Sequence, residues 1–159
     1  MLHQLNDDVY FGNWQAPVEA AQICRSIINV AHSFSARRGR NAYWAELEKV
    51  KWETFYTRLA KKDGQLIDEA YWQAFKQAVM SARYLDKLPL LTHCQMGGHR
   101  GPTAAVAASF ILSGFKRSVL QDSLAKVLAI SSGLRRGEGR PGGHNYHRSM
   151  LAFCESEAV

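Results

Sequence analysis

From residue 93 to residue 102 the chain reads His-Cys-Gln-Met-Gly-Gly-His-Arg-Gly-Pro, with one thiol and one guanidinium six residues apart and two glycines between them. Leu88–Thr92, just before, is a short apolar run of buried-strand type. Thr103–Leu112 (TAAVAASFIL), just after, is apolar on every side, as a buried helix is. A strand, a tight loop and a helix N-terminus in that order turn successive backbone N–H groups into one concavity, which favours an anion. A cysteine at the mouth of such a loop is expected to be held as a thiolate, because the helix terminus, the amides and a nearby cation all favour the charged form. Arg100 closes the ring with two parallel N–H donors suited to phosphate. Cys94 and Arg100 thus offer a nucleophile and a phosphate clamp in one loop, which phosphate or sulfate is expected to occupy. The competing reading is a buried, inert cysteine in a glycine-rich turn, with Arg100 solvated.

These residues resemble the signature of the cysteine-dependent protein tyrosine phosphatase superfamily, His-Cys-x5-Arg followed by Ser or Thr. The matches are His93, Cys94, Gly97 and Arg100. A Cys-x5-Arg spacing alone arises by chance in many chains. The preceding His, the Gly at the third place after Cys and the strand–loop–helix setting make this one specific. The opening, Tyr10-Phe-Gly-Asn-Trp14, then a helix, then Ile28-Asn-Val-Ala31, also resembles the start of dual-specificity phosphatases. Their pattern is an aromatic-Leu-Gly strand end, a helix and a strand ending near Asn-Val, so the resemblance covers most of the chain.

The resemblance implies two-step hydrolysis of phosphomonoesters through a cysteinyl-phosphate on Cys94. Backbone amides from Gln95, Met96, Gly97, Gly98 and His99 to Arg100, with the Arg100 fork, would hold the equatorial phosphate oxygens. Gly97 and Gly98 allow the backbone to approach the oxyanion. His93 is expected to position the loop by hydrogen bonding and to support the low thiol pKa, and His99 either lines the mouth or points to solvent. The leaving oxygen needs a proton, which in this family comes from an Asp about thirty residues before the cysteine. Asp63 lies 31 residues before Cys94, on a Lys-Lys-Asp-Gly turn. Asp68 is the rival, at a helix start where Asp is ordinarily an N-cap. No metal or other cofactor is implied.

The sequence departs from the pattern at Gly101, where the family places a Ser or Thr whose hydroxyl stabilises the departing thiolate. Thr103 or a water would have to substitute, or breakdown of the phosphoenzyme is slow. The chain is too short for the added loop of the large tyrosine-specific enzymes, so a shallower dual-specificity pocket is expected. Its substrates would be phosphotyrosine, with phosphoserine and phosphothreonine, on proteins. Phosphoinositide phosphatases usually carry lysines inside the loop, and Gln95, Met96, Gly98 and His99 supply none. An RNA 5′-triphosphatase stays open because of the basic clusters, although a nucleic-acid partner is not favoured. A pseudophosphatase that binds phosphate without turnover is motivated by Gly101, but retention of both Cys94 and Arg100 argues against it.

The elements that must position this loop follow from composition and periodicity. At 159 residues, 47% hydrophobic and 21% charged, the chain suits one globular domain. No apolar run approaches a bilayer span, and the first residues lack the features of a secretory signal. Cys24, Cys94 and Cys154 cannot all pair and match no zinc spacing, so a reducing cytoplasm is the expected location. Cys24 and Cys154 stand in helix-like contexts as core residues. A net charge of +6 suits a phosphorylated or polyanionic partner. The excess falls at Arg37, Arg38 and Arg40, and at Arg135, Arg136 and Arg140 with His144, His147 and Arg148.

Strands are expected at Val9–Trp14, Ser26–Ala31 and Leu88–Thr92, and helices at Ala16–Arg25, Asp68–Leu85, Thr103–Leu112, Val119–Ile130 and Asn145–Glu155. A short helix followed by a strand is expected over Tyr43–Leu59, and a flexible Arg/Gly-rich loop over 133–143. Alternating strands and helices imply an α/β fold, a single compact domain whose mostly parallel sheet of four to five strands is flanked by helices. A monomer is expected. In such sheets ligands bind at the carboxyl ends of strands, which is where Cys94 falls.

Overall fold

The computed structural model describes residues 1–31, 42–59, 66–94, 100–131 and 145–159. Five strands form one mixed sheet: β1 (Leu2–Gln4), β2 (Val9–Gly12), β3 (Ser26–Asn29), β4 (Phe55–Arg58) and β5 (Leu90–His93), in the spatial order β1-β2-β5-β3-β4. β5 lies between β2 and β3 and pairs in parallel with both, β4 pairs in parallel with β3, and β1 closes the far edge antiparallel to β2. The helices are α1 (Ala16–Glu19), α2 (Ala42–Glu53), α3 (Glu69–Tyr84), α4 (Arg100–Leu112), α5 (Arg117–Ile130) and α6 (Tyr146–Glu157). The expected α/β architecture with a mostly parallel, helix-flanked sheet is the one observed.

Alternation along each strand divides the core into two layers. Val9, Phe11, Ile28 and Leu90 face a large cluster that includes Trp72, Phe75, Phe110, Tyr146, Met150 and Phe153. Ile27 and Leu91 face the other way, onto Ala16, Ala20, Cys24 and Val50. Helix α4 runs through the larger layer, and every residue from Arg100 to Ile111 is buried, as its uniform hydrophobicity requires. Pro102 sits in its first turn, where backbone N–H groups have no intrahelical partner to lose. Gly114, at φ +81, ends the run in a conformation that glycine adopts freely.

Several boundaries differ from the sequence expectation, each for a tertiary reason. The first helix spans four residues instead of ten. Beyond Ala20 the bonding turns to shorter loops, such as Ile23 N–H to the Ala20 carbonyl, because Arg25 is drawn into the sheet. Its N–H donates to the Pro89 carbonyl, and its own carbonyl accepts from Phe55. Cys24 is accordingly a buried turn residue, whereas Cys154 is buried within α6. The central strand starts at Leu90, because Pro89 has no N–H to give to a ladder. Strand β1 has no counterpart in the sequence reading. It is folded back by Asn6, whose Oδ1 accepts from the N–H groups of Asp8 and Val9. The segment 133–143 lies outside the described residues. Among those described, no helix is long and apolar enough to cross a membrane.

Candidate active site

The register of the three central strands brings Gly12, Asn29 and His93 into one row at their carboxyl ends. Each fixes part of the surface from which the next residue, Cys94, emerges. Asn29 is buried; its Oδ1 accepts from the Ala31 N–H at 2.9 Å and its Nδ2 donates to the Tyr56 hydroxyl at 3.0 Å, which pins the turn after β3. His93 is fully enclosed, with Nδ1 3.4 Å from the Cys94 carbonyl oxygen. Burial is the main force on its ring and pushes its pKa down to about 4. The bond to the carbonyl opposes this, and the Lys51 charge adds to it. At neutral pH the ring is uncharged and acts on the loop as a hydrogen-bonding dipole.

Cys94 follows immediately and is 6% exposed. Its N–H donates to the Gly12 carbonyl at 3.3 Å. No side chain fits at Gly12, because a Cβ there would overlap the Met1 carbonyl oxygen and stand 2.5 Å from the Ala16 Cβ. Across the site, Thr92 Oγ1 donates to the Gly101 carbonyl at 2.7 Å and ties the first turn of α4 to β5. A Cβ added at Gly101 would lie 3.4 Å from the Cys94 Sγ, so the first turn of α4 is packed directly against the sulfur.

Arg100 opens α4 and is 8% exposed, so the alternative of a solvated arginine does not hold. Its guanidinium carbon lies 5.4 Å from the centroid of the Tyr146 ring, at the start of α6. The Tyr146 hydroxyl is in turn 2.8 Å from that of Tyr71 on α3. Nothing in the sequence marks Tyr146 as part of this site. Tyr71 belongs to the apolar stripe of an amphipathic helix and carries no sign of a second role.

Asp68 is the N-cap of α3 and accepts from the Tyr71 N–H at 3.0 Å. Just before it, the buried Ile67 is held at both backbone groups by Asn145: its N–H donates to Oδ1 at 3.1 Å and its carbonyl accepts from Nδ2 at 3.0 Å. This pair of hydrogen bonds fastens the chain leading into α3 to the start of α6. Thr103 is fully buried, and its hydroxyl has no hydrogen-bond partner among the described residues. Gln95, Met96, Gly97, Gly98, His99 and Asp63 lie outside the described residues, as do Arg37, Arg38, Arg40, Arg135, Arg136, Arg140 and His144. Of the second basic cluster, Arg148 is exposed, but His147 is buried on the core side of α6 and adds nothing to a surface charge.

No family model matches the sequence, and no curated protein is similar to it. Solved structures do share its fold. Tk-PTP in its active form is similar over 98% of this chain and 96% of its own, with a TM-score of 0.64 and 18% identity. Human DUSP28 is similar over 98% and 96%, with a TM-score of 0.65 and 12% identity. PTPMT1 in complex with PI(5)P is similar over 98% and 95%, with a TM-score of 0.63 and 16% identity. The fold is that of the protein tyrosine phosphatases and their dual-specificity relatives.

Proposed function

We propose that this protein is a cysteine-dependent phosphatase that hydrolyses phosphomonoesters on proteins, phosphotyrosine foremost, with phosphoserine and phosphothreonine. The observation that carries the reading is the packing of Arg100 and Cys94. The first is a buried cation at a helix N-terminus, the second a thiol at the carboxyl end of the central strand, and the turn bearing Arg100 lies against the sulfur. The planar fork of Arg100 offers two parallel N–H donors to a phosphate dianion. The shared fold supports the reading further.

In the proposed reaction the Cys94 thiolate attacks phosphorus in line, and the S–P bond forms as the ester P–O bond breaks. Asp63 gives its proton to the leaving oxygen. Arg100 and the N–H groups of Gln95 to His99 hold the three equatorial oxygens, where the transition-state charge is spread. Asp63 then takes a proton from water as that water attacks the cysteinyl-phosphate. Inorganic phosphate leaves and the thiolate is restored. His93, uncharged and bonded to the Cys94 carbonyl, holds the root of the loop.

Steady-state hydrolysis of an aryl phosphate by the wild type and by Cys94→Ser tests this reading. Serine keeps the shape of the site but is a far weaker nucleophile near neutral pH. Turnover by the wild type with none by the variant is expected, and equal rates would eliminate the covalent route. A panel of phosphotyrosine peptides, phosphothreonine peptides, phosphoinositides and 5′-triphosphorylated RNA then assigns the substrate class.

A further inference from the structure

The charged end of Arg100 rests against the ring of Tyr146, which is backed in turn by aromatic rings of α3. Tyr146 presents its ring to the guanidinium at 5.4 Å and is itself 1% exposed. Three contacts fix that ring. The Tyr71 hydroxyl bonds to its hydroxyl at 2.8 Å, and the rings of Tyr71 and Trp72 meet it edge-on with centroids 5.6 and 5.0 Å away. The start of α6 is held in turn by the bonds from Asn145 to Ile67.

We infer that Tyr146 is the positioning residue for Arg100: its ring face seats the guanidinium in the orientation that grips an oxyanion, and the Tyr71 hydroxyl locks that seat. The inference rests on Arg100 being the phosphate clamp proposed above. An arginine side chain is long and rich in rotamers, so a clamp that must meet phosphate bidentately gains from being seated in advance. A planar guanidinium stacks on an aromatic face, and that attraction is strongest where water is excluded, as here. Burial keeps both phenols protonated well past their ordinary range, although the charge of Arg100 pulls the other way, so the hydroxyl pair persists at working pH.

The test is the affinity for tungstate, measured calorimetrically on the wild type, Tyr146→Phe and Tyr146→Leu, each shown by thermal melting to be folded. The side-chain Nε–H resonance of Arg100, assigned by its loss in Arg100→Lys, is recorded for each. A guanidinium over a ring face is shifted upfield, a signature that a merely structural role for Tyr146 would not produce. Tyr146→Phe keeps the face but loses the bond to the Tyr71 hydroxyl; the upfield signal should be retained but broadened, with tungstate bound about two- to tenfold more weakly and always more tightly than by Tyr146→Leu. Tyr146→Leu removes the face; tungstate should bind about five- to thirty-fold more weakly, and the upfield shift should vanish. Binding by Tyr146→Leu within about fivefold of wild type overturns the inference, as does an equal loss in both variants.

Should Tyr146→Leu fail to fold, Tyr71→Phe carries the test, because it removes only the lock. It is expected to broaden the Arg100 signal and weaken tungstate binding about two- to tenfold; an unchanged signal and affinity refutes the inference. A wild type that binds no tungstate at all would instead remove the phosphatase reading, and this inference with it.

Discussion

Gly101 stands against Cys94 so closely that a Cβ on the glycine would sit 3.4 Å from Sγ and 3.3 Å from the Cys94 backbone nitrogen. This is the position where similar phosphatases are expected to carry a hydroxyl, and here it is bare. The buried hydroxyl of Thr103 lies two residues further along α4, about 200° around the helix axis from Gly101. Gly101→Ser restores a donor beside the sulfur. One charge-assisted bond is worth about 1.5–3 kcal/mol, so phosphoenzyme breakdown should accelerate roughly ten- to a hundred-fold. The added Cβ would also stand 3.0 Å from the Gly12 carbonyl oxygen, so the melting temperature should fall slightly. Pre-steady-state kinetics with an aryl phosphate separates the two steps. An unchanged second step would mean that the missing hydroxyl is not limiting.

Gly12→Ala tests whether the neighbouring strand end is built for the site. The new methyl meets the Met1 carbonyl oxygen and the buried Ala16, neither of which is a flexible side-chain end. The expected cost is about 1–3 kcal/mol of stability, with weaker tungstate binding because the Gly12 carbonyl that receives the Cys94 N–H must shift. A stable variant with unaltered affinity would show that the edge hairpin yields freely.

The buried His93 makes stability depend on pH. Its folded pKa is about 4 against an unfolded value of 6.5. Between these values the unfolded chain binds the proton and the folded chain does not. Stability is therefore full above about pH 6.5 and is lost as the pH falls towards 4, by about 2 kcal/mol at pH 5 and about 3 kcal/mol at the limit. Denaturant titrations across this range should show the slope, and His93→Gln should remove most of it. The same slope in both proteins would mean that other groups cause it.

Much of this was legible in the sequence because it is written locally. The buried strand at Ser26–Asn29, the all-round apolar helix α4 and the spacing of Cys94 and Arg100 each declare themselves within a dozen residues. What was missed depends on distant partners. Strand β1 has no apolar pattern of its own and exists because β2 offers an edge. Helix α1 is cut short by the ladder that captures Arg25. Tyr146 is of a type that packs in any helix core, and only the fold brings its ring to Arg100.

The two carboxyl candidates for proton donor separate by substitution. Asp68 already serves as the cap of α3, and asparagine caps equally well. Asp68→Asn should therefore leave stability and the pH–rate profile almost unchanged, while Asp68→Ala loses about 1 kcal/mol. Asp63→Asn should flatten the basic limb of the profile, most for substrates with poor leaving groups. If Asp68→Asn flattens it instead, the proton comes from Asp68.

The proposed reaction passes through a covalent bond between Cys94 and phosphorus. Rapid acid quenching of the wild type during turnover of an aryl phosphate, followed by peptide mass spectrometry, tests it most directly. A phosphoryl group on the peptide bearing Cys94, absent from Cys94→Ser and longer-lived than in Gly101→Ser, is the expected result. Turnover by the wild type with no phosphoryl group on that peptide at any quench time would contradict it.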